Sequence, residues 1–314
     1  MRKEQNNITL PADEQNEYHI PVLLHEAIEG LAIKPDGIYV DCTFGGGGHS
    51  RAILAQLNAN GKLVAFDQDA DAVQNLPDDP RIIFVPENFR HIGRFLKLHQ
   101  ITQVDGILAD LGVSSHQFDE ATRGFSIRFD ADLDMRMDQR QEKTAAQVIS
   151  NSSAAYLHKL FEKYGEVTNA KTLANTLVEK RSIVPIKTIQ DFKQATQSIV
   201  KGNPQKYLAQ VFQALRIEVN DEFGALEILL EQIPLLLKPG GRAAFITFHS
   251  LEDRLVKVFF KSGSLNESAP DQLYGTRKEN PFILVNKKPI LPSEEEYSKN
   301  KRSRSAKLRV AEKV

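Results

Sequence analysis

Tryptophan is absent from this sequence, and cysteine occurs once, at Cys42. A single cysteine cannot close an intramolecular disulfide or supply a cysteine-rich zinc site, so both are excluded. A low cysteine content is typical of a reducing compartment, and we expect a cytoplasmic protein. The sequence also lacks an apolar signal segment near its N-terminus and any apolar run long enough to span a bilayer. We therefore expect no membrane association.

An excess of charge of one sign is also missing. The chain has 40 Lys and Arg residues against 41 Asp and Glu residues, for a net charge of −1. A protein with this balance has no overall basic field, so a nucleic-acid partner would have to bind local patches. The chain has 314 residues, 41% of them hydrophobic, which is enough for one large domain with an insertion or for two domains.

Four consecutive glycines at 45–48 follow an apolar run, and a helical pattern begins near Ala52. The pattern predicts a strand, a tight turn and a helix, whose first backbone N–H groups attract anionic or polar ligand groups. Ser50 stands where the dinucleotide fingerprint has its third glycine, so the loop alone fits a ligand-free turn as well as a cofactor site. Asp67, at the tip of the next predicted strand, suits a ribose hydroxyl pair. Loop and acid together predict a nucleoside cofactor, either a nicotinamide dinucleotide or S-adenosylmethionine.

Strands alternate with helices as far as a predicted strand at 104–109, and Asn88 is predicted to cap the helix before it. The alternation predicts an α/β fold with a doubly wound, mostly parallel sheet. Ligands bind beyond the carboxyl ends of such strands, so the residues there are expected to share one pocket. Those residues are 45–49, Asp67, Phe89 and Asp110.

Residues 115–206 show helical patterns and no good buried strand, which we interpret as an inserted helical, substrate-recognition domain. The α/β domain then comprises 18–114 and 207–314, and residues 1–17 form a flexible tail. After the insertion, the pattern predicts one long helix towards Leu237 and strands at 242–248 and 282–285.

Three further features each allow two interpretations. The charged stretch 123–138 is either a solvated loop or a substrate-facing loop at the mouth of the pocket. The basic run 299–309 is either a solvated surface or a phosphate-binding segment. His249, at the tip of the fifth predicted strand, is either structural or functional, and Ser250 after it is predicted to cap the next helix.

Several stretches match the motifs of a known family. They are residues 19–23, 41–50, 110–115, 123–126, 133–138, 212–217, 248–254 and 302–309. On these motifs the chain resembles the RsmH (MraW) family of bacterial 16S ribosomal RNA (cytosine-N4)-methyltransferases. It departs from the family at His116 and Lys301, where proline is common, and at Phe118, where leucine is common.

The resemblance implies a class I methyltransferase (Rossmann-like) fold with an inserted helical domain, and S-adenosyl-L-methionine as the cofactor. It implies N4-methylation of a cytidine in the decoding region of 16S rRNA within the small ribosomal subunit. The implied cofactor contacts are Gly47, Gly48, His49, Asp67, Phe89, Asp110 and Gln117. No metal site is predicted, and a homodimer stays possible.

We expect Gly47 and Gly48 to let the methionine part of the cofactor approach the backbone, and Phe89 to form an apolar wall. Asp110 is the predicted catalytic acceptor for the target amine, although a role in cofactor binding alone stays open. The residues predicted to contact RNA are Arg123, Phe125, Arg136, His249, Arg302 and Arg304.

Three rival hypotheses are weighed against this one. A nicotinamide-dependent dehydrogenase is disfavoured by the missing third glycine. A non-catalytic ribosome-assembly factor would bind RNA without S-adenosylmethionine turnover, and the intact set of 47–49 with Asp67 argues against it. Methylation at cytosine C5 normally uses a cysteine nucleophile, and Cys42, expected inside the first strand, is badly placed for that role.

Overall fold

The computed structural model describes residues 21–265 and 279–314, so the predicted tail at 1–17 lies outside the described residues. Seven strands form one sheet in the order β3-β2-β1-β4-β5-β7-β6. They are β1 (Ile38–Asp41), β2 (Lys62–Phe66), β3 (Ile82–Val85), β4 (Val104–Asp110), β5 (Leu237–Thr247), β6 (Phe282–Leu284) and β7 (Lys307–Lys313).

The α-helices of the described residues lie around this sheet and in a separate helical region. They are α1 (Leu24–Leu31), α2 (Gly48–Gln56), α3 (Ile92–Leu98), α4 (Ser115–Asp119), α5 (Ala145–Asn151), α6 (Ala154–Gly165), α7 (Ala170–Arg181), α8 (Ile189–Thr196), α9 (Pro204–Asn220), α10 (Glu222–Leu236), α11 (Ser250–Ser262) and α12 (Glu294–Lys299). Within 21–265 and 279–314, no helix is both long and apolar enough to cross a membrane.

Strands β1 to β5 are parallel to one another, whereas β7 runs antiparallel to both β5 and β6. Almost every side chain of β2 and β4 is buried, which is expected when helices cover both faces of a parallel sheet. The doubly wound, mostly parallel sheet predicted from the sequence is therefore confirmed. Because β1 to β5 are parallel, their carboxyl ends all lie at one edge of the sheet.

The basic segment near the C-terminus contains a strand that the sequence did not predict. In β7, Leu308 and Val310 are buried, and the interleaved Arg309 is also buried because its guanidinium pairs with Asp253 at 2.6 Å. Strands are normally predicted from apolar residues that alternate with exposed polar ones, and the many Lys and Arg residues of this segment suggest an exposed surface instead. Arg309 therefore belongs to the packed sheet and not to an exposed basic surface.

The long helix predicted towards Leu237 is wrong in one respect, because it is broken into α9 and α10 at Asp221. Asp221 has a φ of 47°, a left-handed conformation that ends α9. Arg90 donates to both the carboxylate and the carbonyl of Asp221 and thereby stabilises the break. The following strand begins at Leu237, earlier than the predicted 242.

Residues 115–220, called the helical region below, surround a hydrophobic core that is distinct from the clusters on the sheet. This core includes Phe161 and Leu177 from α6 and α7, and Val211 and Leu215 from α9. The helical packing therefore continues past residue 206, where we expected the insertion to end. The domain boundaries themselves stay a prediction.

Candidate active site

A cavity of about 990 Å³ lies beyond the carboxyl ends of β1 to β5, between the sheet and the helical region. The parallel arrangement of the strands explains why side chains distant in sequence meet there. Most of the predicted cofactor residues line this cavity together; they are Gly48, His49, Asp67, Phe89, Asp110 and Gln117. Gly47 precedes Gly48 as the N-cap of α2.

The glycine loop needs its glycines for reasons of backbone geometry. Gly45 and Gly47 have φ values of 50° and 75°, which favour glycine. A Cβ on Gly48 would lie only 2.1 Å from Pro21, so this position also requires a residue without a side chain. Backbone conformation and packing against Phe44 and Pro21 therefore explain Gly47 and Gly48, and approach of the cofactor to this backbone stays a prediction.

Asp67 connects the tip of β2 to the glycine loop. Its Oδ2 accepts a hydrogen bond from the Gly45 N–H at 2.7 Å, and its Oδ1 accepts one from the Asp69 N–H at 2.8 Å. Burial raises the pKa of Asp67 to about 6, and the negative charges of Asp69 and Asp41 add to the shift. Because each carboxylate oxygen can accept more than one hydrogen bond, the side chain can still accept from ligand hydroxyls.

His49, in the first turn of α2, lies close to Asp110 at the end of β4. His49 Nε2 lies 3.1 Å from the Val22 carbonyl, which indicates an Nε2–H tautomer, and its Nδ1 lies 3.8 Å from Asp110 Oδ2. Burial lowers the pKa of His49 to about 4, so the ring is neutral near pH 7. Burial, and then the charges of Asp41 and Glu252, raise the pKa of Asp110 well above its usual value.

Asp110 Oδ1 is buried and has no hydrogen-bond partner among the described residues. A buried acceptor without a donor is costly, so such an atom indicates a place where a ligand supplies the donor. His49 Nδ1 offers a second acceptor nearby. The pair therefore suits an amine or ammonium group.

Phe89 and Gln117, the remaining predicted cofactor residues, lie in the turn after β3 and in α4. Phe89 begins a short 3₁₀ turn, Phe89–His91, and the predicted cap by Asn88 is confirmed because its side chain accepts from Arg90 N–H at 2.9 Å. The Gln117 amide donates to Asp69 Oδ2 at 2.7 Å. Gln117 lines the cavity, and its amide also holds Asp69 in place.

Charged and aromatic residues near the tip of β5 form a cavity wall that the sequence analysis did not assign. Arg216 donates from Nε and Nη2 to the Glu222 carboxylate at 2.7 and 2.9 Å, and the side chains of Phe223 and Phe248 lie beside them in the lining. Glu252 is buried in the same wall. Arg216 and Phe248 belong to motifs quoted above, so the resemblance carried a signal for them.

Two of the residues predicted to contact RNA need correction. Arg123 is 5% exposed, and its guanidinium is engaged by Asp69 and Asp71. Phe125 is buried in the core of the helical region. Neither lines the cavity, so their predicted place at its mouth is wrong. Arg136 is also absent from the lining, and it forms an ion pair with Asp134 at 2.7 Å.

His249, for which a structural and a functional interpretation were open, has a structural position, and its contact with RNA stays a prediction. It is the N-cap of α11, because its Nδ1 accepts from the Glu252 N–H at 3.3 Å, while Glu252 accepts from the backbone N–H groups of Phe248 and His249. The prediction that Ser250 caps this helix is therefore wrong by one residue. The His249 ring also packs at 5.9 Å from the ring of Phe223.

Of the two C-terminal arginines, Arg302 lines the cavity and Arg304 is exposed. Arg302 pairs with Asp119, and its guanidinium lies 5.3 Å from the centre of the Phe118 ring. Arg128 lies on the same ring at 5.2 Å. Direct contact of Arg302 and Arg304 with RNA stays a prediction.

Cys42 lies just beyond β1 and lines the cavity, so its expected position inside the strand is wrong. The conclusion about its chemistry still follows, for a different reason. Burial and the neighbouring charge of Asp41 raise the pKa of the Cys42 thiol well above its usual range. A protonated thiol is a weak nucleophile.

Comparison with known proteins identifies the family. The profile described as the MraW methylase family matches residues 16–314. Ribosomal RNA small subunit methyltransferase H of Parabacteroides distasonis is 53% identical over 95% of this chain and 98% of its own length. The proteins of the same name from Amoebophilus asiaticus and Cytophaga hutchinsonii are each 54% identical, over 95% and 94% of this chain and 96% and 99% of their own lengths. This chain therefore belongs to the MraW methylase family.

Proposed function

We propose that this chain transfers the methyl group of S-adenosylmethionine to N4 of a cytidine in the decoding region of 16S ribosomal RNA, within the small ribosomal subunit. The relatives that match nearly the whole chain are named as ribosomal RNA small subunit methyltransferases. The observation that carries the proposal is the continuous cavity, which extends from Asp67 at the tip of β2 to Phe248 after β5.

The cavity suits the proposed ligands in size and in chemistry. Its volume of about 990 Å³ is at the upper end of ordinary ligand pockets, which fits a nucleoside cofactor together with a target nucleoside. The glycine loop and Asp67 would hold the methionine and ribose parts of the cofactor, and Phe89 would contact the adenine. The target base would lie near Asp110 and Phe248, on the side of β5.

When bound, S-adenosylmethionine supplies a sulfonium-activated methyl group, which the lone pair of the cytosine N4 accepts. That amine is a poor nucleophile because its lone pair is conjugated with the ring. Asp110 Oδ1 can accept one N–H of the amine and so return electron density to the nitrogen. Burial opposes the carboxylate form of Asp110, and the positive charge of a bound sulfonium would favour it.

After transfer, Asp110 or a water molecule takes the proton that the methylated amine releases, so a strong base is not required. The walls of the cavity supply the rest by holding both reactants in line. Such positioning lowers barriers by about 7–11 kcal/mol in favourable cases. Because the proposed substrate is part of the ribosome, we also propose a cytoplasmic location.

Mass mapping of methylated nucleosides tests the proposal. Small-subunit RNA is compared between cells that carry this gene and cells that lack it. We expect one N4-methylated cytidine to lose its N4-methyl group when the gene is absent. An identical methylation map in both strains would refute the proposed function.

A further inference from the structure

Among the described residues, Arg123 is a buried cation with several hydrogen-bond partners, and the proposed reaction leaves it without a role. Its Nη2 lies 2.8 Å from Asp69 Oδ2, and its Nη1 lies 2.9 Å from Asp71 Oδ2. The same Nη2 donates to the carbonyl oxygens of Arg136 and Met137, both at 3.1 Å. One guanidinium therefore joins the loop after β2 to the backbone of the helical region.

The loop after β2 connects Arg123 to the proposed cofactor site through a short series of hydrogen bonds. Asp69, which accepts from Arg123, donates its N–H to Asp67 Oδ1 at 2.8 Å. Asp67 in turn accepts from Gly45 in the glycine loop at 2.7 Å. Gln117, which lines the cavity, donates to the same carboxylate of Asp69.

The charge balance of this loop also depends on Arg123. Asp67, Asp69 and Asp71 are alternate residues of the stretch 67–71, and the negative charge of Asp69 already raises the pKa of Asp67. Arg123 is the cation that contacts both Asp69 and Asp71. Without it, two carboxylates would be left beside Asp67 with less compensation, and the loop would have to rearrange.

We propose that Arg123 is a positioning residue through which the helical region fixes the loop that holds the cofactor ribose. This inference rests on the proposed function, because it assumes that Asp67 binds S-adenosylmethionine. Arg123 itself does not line the cavity. Its loss would therefore weaken cofactor binding without removing any direct contact to the cofactor.

Calorimetric binding of S-adenosylhomocysteine tests the inference in the full chain. We expect Arg123→Gln to weaken binding at least tenfold, and Arg123→Lys, which keeps the charge but not the planar fork, to weaken it at least threefold. Arg140→Gln is the matched control, because Arg140 also links the helical region to the sheet, through Glu87 and the Pro86 carbonyl, but is mostly exposed. It should change the affinity less than twofold.

Thermal unfolding without ligand separates positioning from a purely structural role. A structural role predicts a lower Tm with unchanged affinity in the folded variant, and that result would overturn the inference. If Arg123→Gln does not fold, Arg123→Lys decides: a change below threefold refutes the proposal, and a larger change supports it. If the unaltered chain itself does not bind S-adenosylhomocysteine, the proposed function fails instead.

Discussion

Asp110→Asn probes the proposed chemistry most closely, because it removes a charge while keeping the shape of the side chain. Asp110 Oδ1 is buried and has no partner among the described residues, and its carboxyl group lies near the charges of Asp41 and Glu252. The Asn variant loses a charged acceptor for the target amine. It also relieves repulsion among these acids, so its Tm should not fall below that of the unaltered chain.

The expected magnitude follows from the interaction that is lost. A hydrogen bond to a charged group contributes about 1.5–3 kcal/mol, which corresponds to roughly a 10- to 150-fold lower rate of methyl transfer. Single-turnover transfer to small-subunit RNA measures the rate, and calorimetry with S-adenosylhomocysteine measures cofactor affinity. Asp138→Asn, in an ion pair outside the cavity lining, is the matched control.

The two measurements for Asp110→Asn distinguish its possible roles. A slower rate with unchanged affinity supports a catalytic acceptor. Weaker affinity with an unchanged rate at saturating cofactor would make Asp110 a cofactor ligand only. If both values stay within twofold of those of the unaltered chain, Asp110 has neither role, although its Oδ1 lacks a hydrogen-bond partner in the described residues.

Three further predictions concern the thiol, the C-terminal arginines and pH. Cys42→Ala should leave methylation intact because burial keeps the thiol protonated, and an abolished rate would restore the C5 mechanism. Replacing Arg302 and Arg304 with Ala should weaken RNA binding. The slope of log K against log salt concentration should become less steep by roughly 1.4, because each contact to a single-strand phosphate contributes about 0.7. An unchanged slope would contradict these contacts. The pKa of Asp67 is raised to about 6 in the folded state, so between about pH 4 and 6 the folded chain holds a proton on Asp67 that the unfolded chain has lost. The free energy of unfolding therefore decreases as the pH rises through this range. Asp67→Asn should therefore flatten the Tm profile across that window, and an identical profile would show that this pKa is not raised.

The sequence predicted the sheet and the strand-tip residues well, because both depend on local patterns. Apolar runs that end in Gly or Asp mark buried parallel strands, and the topology brings those ends together. Asp67 and Asp110 could therefore be assigned to one cavity without knowing any contact between them. The break at Asp221 was missed because Asn220 and Asp221 interrupt the helical pattern only weakly.

Residues whose role depends on distant partners could not be predicted in the same way. Arg123 looks like a surface arginine in sequence, but Asp69 and Asp71, more than fifty residues earlier, make it a buried ion pair. Strand β7 could not be predicted because Arg309 is buried only through its ion pair with Asp253, and the sequence does not show that pairing. In both cases the sequence shows the charges and not the pairing that buries them.

The most direct test of the central claim is a transfer assay with the purified chain. Small ribosomal subunits from cells lacking the gene are incubated with methyl-labelled S-adenosylmethionine, and the nucleosides are then separated by mass spectrometry. We expect label in N4-methylcytidine of the 16S RNA and a large loss of that label with Asp110→Asn. Label in 5-methylcytidine, or no label at all, would contradict it.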